Sequence, residues 1–107
     1  MTLNTKEQQA LSRLADTLRT RFGASEVILY GSAARGELQE GSDVDLLVVL
    51  PKIDCATEKK IIGICYEAEL ECGRVFSSVF YSSNEMQTGP LRFSPLVLNA
   101  RREGKSL

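Results

Sequence analysis

Gly31-Ser32 and Asp43-Val44-Asp45 are the residues whose types and spacing could do chemistry in this 107-residue chain. The apolar run Glu26-Val-Ile-Leu-Tyr30 breaks at Gly31, and Ala33, Ala34 and Arg35 then favour a helix. A glycine at such a junction lets a ligand approach the backbone, and the helix start turns free N–H groups and a positive dipole end outward. An anion is the natural occupant. Ser32 adds a hydroxyl donor, and Arg35, one turn later, can bring a guanidinium to the same phosphates. Asp43 and Asp45 are two apart where an apolar run opens, so on a strand both carboxylates project from one face. A divalent cation relieves their repulsion, and Mg²⁺ favours one or two carboxylates, with water and phosphate oxygens completing its octahedron. Each pair alone is commonplace, Gly-Ser as a turn and cap, Asp-x-Asp as a solvated strand entry. In this order and spacing they describe a site for a metal-bound polyphosphate.

The elements that must hold these residues can be read from periodicity. Ala10, Leu11, Leu14, Ala15, Leu18 and Phe22 recur at three- and four-residue intervals, which predicts an amphipathic helix over 5–22, opened by an Asn4/Glu7 capping box and closed by Gly23. Glu26–Tyr30 reads as the first strand, and one or two helical turns follow it up to Gly36. The polar stretch 37–42 is a loop. Residues 43–50 become continuously apolar at Leu46, as a central strand buried on both faces would, and Pro51 ends them. Ile61, Ile64, Cys65, Ala68 and Cys72 mark a second long helix over 54–72. A third strand is expected over 74–81, and Ser94-Pro95 opens a short last helix. The expected order is α-β-α-β-α-β-α, a single α/β domain over 1–107 with a small mixed sheet flanked by helices.

Several function classes are disfavoured. Thirteen Lys+Arg against fourteen Asp+Glu leave a net charge of −1, without the basic surplus of a nucleic-acid binder. The clusters Arg13/Arg19/Arg21 and Arg101/Arg102/Lys105 read as solvated helix faces. No apolar run approaches bilayer length, and the N-terminus is no signal peptide, so a soluble cytoplasmic protein is expected. Cys55, Cys65 and Cys72 form no CxxC pair and histidine is absent, which disfavours structural zinc; Cys65 and Cys72 share the buried face of a helix.

The run Gly31-Ser32-Ala33-Ala34-Arg35-Gly36, followed by Ser42-Asp43-Val44-Asp45-Leu46, resembles the signature of the DNA polymerase beta-like nucleotidyltransferase superfamily, and more narrowly of the minimal nucleotidyltransferases of prokaryotes. The resemblance implies that Gly31, Ser32, Arg35 and Ser42 contact a nucleoside triphosphate, with ATP the expected one. It implies that Asp43 and Asp45 are the catalytic, Mg²⁺-binding carboxylates. It further implies transfer of a nucleoside monophosphate to a hydroxyl, and a small helical protein partner of HEPN or substrate-binding type in a homo- or hetero-oligomer. The family also carries a third carboxylate, the base, on the later strand. No Asp or Glu occurs in 74–81; Ser78 aligns with the missing acid, or Ser77 if the register slips. A serine neither binds Mg²⁺ comparably nor accepts a proton at neutral pH. The alternative to an enzyme is therefore a catalytically weakened, antitoxin-like regulatory subunit that keeps the nucleotide pocket.

Overall fold

Asn4 opens the first helix in the computed structural model, which describes residues 2–107. Its side chain accepts the Glu7 N–H while the Glu7 carboxylate accepts the Asn4 N–H, a capping box that fixes the start of α1 (Thr5–Phe22). Gly23 closes the helix in the left-handed conformation. There follow β1 (Glu26–Tyr30), α2 (Gly31–Arg35), β2 (Val44–Leu50), α3 (Cys55–Cys72) and β3 (Phe76–Ser82). A short α4 (Ser83–Thr88), a 3₁₀ turn (Pro90–Phe93), α5 (Pro95–Glu103) and β4 (Lys105–Ser106) complete the chain.

The sheet order is β3-β2-β1-β4, so β2 is central, as its apolar run predicts. It pairs antiparallel with β1 and parallel with β3, the latter through a crossover that α3 provides; β4 adds to β1 antiparallel. The fold is thus the expected mixed sheet with helices on both faces. Alternation along the strands decides what each face holds. Val44, Leu46, Val48 and Leu50, with Val27 and Leu29, pack in the core beneath α1 and α3, together with Leu11, Leu18 and Ile61. Leu47 and Ile28 lie on the opposite face against Ala100 of α5, and Val49 meets Met86 and Val97. Cys65 is buried and Cys72 half-buried against the first of these cores, both as free thiols.

Three segments depart from expectation. The segment 83–93 folds as α4 and the 3₁₀ turn. Ser82 and Glu85 form a second capping box there, a signal that the flanking β-prone residues mask. β4 is only two residues long and pairs with Ile28 and Leu29, too short to show any alternation. The third strand begins two residues late, at Phe76, because Arg74 turns inward to an ion pair.

Candidate functional site

Tyr30 and Asp45 are cross-strand partners at the end of the β1–β2 ladder, and Gly31 begins α2 immediately beyond. Gly31 has φ +69°, and a side-chain carbon there would collide with the Asp45 carboxylate. The left-handed backbone calls for glycine, and any side chain there would also displace the Asp45 carboxylate. The absent side chain brings the Asp45 carboxylate against the backbone at the helix start. Ser32 sits half-buried in the first turn of α2, and Ala33 anchors that turn in the core.

Asp43 is exposed in the loop just before β2, and Asp45 is half-buried on the strand. Burial pushes the Asp45 carboxyl above the ordinary range, the Asp43 charge pushes it further, and Arg35 partly offsets both. The carboxylates therefore repel one another, and a divalent cation would stabilise both charges. The pair fits such an ion: two hard oxygen ligands, one partly desolvated, beside a helix start open to phosphate. Among the described residues no third Asp, Glu, His or Cys joins them in a metal-holding cluster.

The loop that carries Asp43 is pinned from below. Arg74 Nη1 donates to the carbonyls of Gln39 and Ser42, 3.0 Å in each case, while its Nε donates to the buried carboxylate of Glu7 in α1. The Ser42 hydroxyl accepts the Gln39 N–H at 3.1 Å and so helps to close the loop, a bond that leaves its own O–H donor unused. Val44 N–H donates to Val75 at 2.9 Å and starts the ladder. The Glu7–Arg74 pair was missed in the sequence, where Glu7 registers only as a cap and Arg74 as a strand residue; 67 positions separate them.

Arg35 is exposed, held by Glu37 at 3.0 Å and with Glu103 of α5 at 4.0 Å. A cleft of about 200 Å³ opens there, lined by Tyr30, Gly31, Arg35, Leu96, Asn99 and Glu103. Tyr30 also escapes motif reading. It is the cross-strand partner of Asp45, and burial, then Asp45, then Tyr81 push its phenol upward. A roomier cavity of about 380 Å³ lies between α1, α2 and β4, but Leu3, Leu11, Leu29, Ala33 and Leu107 make it largely apolar and no Asp or Glu among the described residues lines it.

The parallel ladder fixes the serines. Asp45 pairs with Ser77, and Leu46 with Ser78. Ser77 therefore lies beside Asp45 on the same face and is exposed, whereas Ser78 faces α3. The Ser78 hydroxyl is buried next to the Cys65 thiol without a well-formed hydrogen bond. Of the two alignments open in the sequence, Ser78 is thus turned away from the carboxylates and Ser77 toward them. The two nearby helix acids are occupied elsewhere, Glu69 by the Phe76 N–H and Glu71 by Arg13.

The family model of the nucleotidyltransferase domain matches residues 11–90, a span that contains both the Gly31-Ser32 turn and the aspartate pair. The chain belongs to the nucleotidyltransferase domain family. Within it the chain is of the minimal nucleotidyltransferase type. A solved structure of an inferred minimal nucleotidyltransferase matches with a TM-score of 0.63 and 26% identity, over 97% of this chain and 98% of the other. Among relatives, the protein adenylyltransferase MntA of Thermococcus cleftensis is 53% identical over 36 residues, which is 34% of this chain and 36% of MntA. An inferred protein adenylyltransferase of Methanocaldococcus jannaschii, MJ0141, is 41% identical over 56 residues, 51% of this chain and 57% of that protein. These two matches leave much of each relative's length uncovered. A second M. jannaschii protein of that inferred kind, MJ0604, is 28% identical over 94% of this chain and 97% of its own length. For this nucleotidyltransferase domain, Gly31 is the point where family signature and local geometry meet most closely.

Proposed function

We propose that this domain binds a nucleoside triphosphate, with ATP favoured, at the start of α2, and transfers its nucleoside monophosphate to a hydroxyl on a protein. The observation that carries the reading is the Gly31–Asp45 contact, which joins a phosphate-accepting helix start to a carboxylate pair suited to Mg²⁺. The relatives' names favour adenylyl transfer to protein. Asp43 and Asp45 are the residues that would hold Mg²⁺, which supplies charge neutralisation on the polyphosphate. The Gly31 backbone and the Ser32 hydroxyl orient the phosphates, and Arg35 adds positive charge once it leaves Glu37 and Glu103. The acceptor oxygen attacks the α-phosphorus, the bond from that phosphorus to the bridging oxygen breaks, and pyrophosphate leaves. The acceptor proton passes to water, because Ser77 offers no base. Positioning and charge neutralisation dominate such a transfer, so two carboxylates can sustain slow turnover.

A second reading follows from the same serine: with Ser77 in the acid's place, the domain keeps a nucleotide pocket and serves as the regulatory half of a complex with a helical protein. Incubation with labelled ATP, Mg²⁺ and the natural partner separates the two. Label on the partner from wild type and none from Asp43→Asn is the expected result. No label from wild type, or equal label from the variant, would defeat the enzymatic reading.

A further inference from the structure

Helix α3 buries one face beneath the sheet and leaves another bare. Ile62, Tyr66 and Leu70, each four residues apart and therefore aligned, are 54%, 58% and 67% exposed. Gly63 lies beside this stripe in mid-helix, where glycine costs stability relative to alanine, and a side-chain carbon at that position would meet nothing within 4 Å. No contact among the described residues asks for glycine there. Beyond a first turn whose Asp54 cap and Glu58 suit the helix dipole, the charges run against it. Lys59 and Lys60 follow Glu58 in the opening turns, Glu67, Glu69 and Glu71 fill the closing turns, and no basic residue balances the C-terminal end. Among the described residues Lys59, Lys60 and Glu67 form no ion pair.

We propose that this face of α3 docks antiparallel on α3 of a second copy of the chain. A two-fold axis level with Ile64 and Cys65 seats each Tyr66 ring on Gly63 of the other copy, where the missing side chain admits it. Leu70 then packs along the aliphatic stem of Lys59, and Lys60 of each copy faces Glu67 of the other. One arrangement accounts for the apolar stripe, the glycine and the inverted charge order together. A contact made by a single 18-residue helix pair is small for a stable dimer, so the assembly dissociates on dilution. The inference stands apart from the nucleotidyl-transfer reading and is tested without nucleotide.

Sedimentation equilibrium over a concentration series extending into the millimolar range, with melting temperature measured in parallel, tests it. Wild type is expected to pass from monomer to dimer, and Tyr66→Glu to remain monomeric with an unchanged fold. Gly63→Gln is expected to raise the melting temperature of the dilute monomer, through better helix propensity, while weakening dimerisation at least tenfold; a merely structural glycine would not move the two in opposite directions. Lys60→Glu and Glu67→Lys are each expected to weaken the dimer several-fold, and an equimolar mixture of the two to recover it. Monomeric wild type at every concentration overturns the proposal, even if the face takes another protein. So does a dimer that Tyr66→Glu and Gly63→Gln leave intact, or a charge-swapped mixture that does not recover.

Discussion

Ser77 and Ser78 differ by one position and by an entire face of the sheet. The β2–β3 register puts Ser77 beside Asp45 and turns Ser78 into the packing between β3 and α3. Ser77→Asp is therefore expected to raise nucleotidyl transfer, on the order of 100-fold if it restores a general base. Ser78→Asp would instead bury a carboxylate next to Cys65, whose thiol burial already pushes up to about 11, and is expected to destabilise the fold by several kcal/mol without a gain in transfer. Urea unfolding and transfer assays on both variants check the pair of outcomes. The sequence left these two serines open because neither the β-prone composition of 74–81 nor its interruption by Ser77-Ser78 sets a register. The Gly31-Ser32 and Asp43-Val44-Asp45 motifs were legible, since residue type and spacing along one chain suffice for them. At Asp45 the folded-state pKa lies above the unfolded value, so stability is lost as pH rises through that interval. Asp45→Asn is thus expected to raise the melting temperature at neutral pH in chelator, with the advantage fading as pH falls through the carboxylate range. Added Mg²⁺ is expected to stabilise wild type and not the variant.

The loop before β2 illustrates what happens between elements. Its span is readable from Glu37 to Ser42, yet what holds it is Arg74, which joins the end of α3 to the start of α1 through Glu7. Burial raises the Glu7 carboxyl, but the Asn4 N–H and the Arg74 guanidinium outweigh that and hold it below its ordinary value. A depressed carboxylate stabilises the fold above its unfolded pKa, and that contribution is lost as pH falls through the folded pKa. Glu7→Gln is expected to cost about 3 kcal/mol at pH 7, since it leaves the half-buried Arg74 guanidinium without its carboxylate partner. The difference from wild type should close in acid, as chemical denaturation across pH would reveal; a constant difference would place the effect elsewhere. The long helices and the buried central strand were legible because their periodicity is sustained over many residues. α4 was not, because Ser83–Thr88 carries almost no apolar pattern and adjoins β3 without a break.

At the scale of the molecule, a mixed four-stranded sheet between two helical layers presents Tyr30, Gly31, Asp43, Asp45 and Ser77 together at the sheet's α2 end. Most residues of the two arginine clusters are exposed, as solvated helix faces, and several also find partners there: Arg13 with Glu71, Arg101 with Glu26, and half-buried Arg19 with the Leu107 carbonyl at 2.8 Å. No helix among the described residues is long and apolar enough to cross a membrane. Nucleotidyltransferase membership was legible from two short motifs and the mixed α/β architecture and α5 from periodicity and caps, while α4, the 3₁₀ turn and their packing with Val97 of α5 depended on contacts distant in sequence. The central claim is that one pocket holds a triphosphate and Mg²⁺ together. Calorimetric titration of a non-hydrolysable ATP analogue, with and without Mg²⁺, into wild type and Asp43→Asn tests it most directly. Saturable binding by wild type that requires Mg²⁺ and is lost in Asp43→Asn is predicted. Binding that ignores the metal and the aspartate, or no binding by wild type, would contradict it.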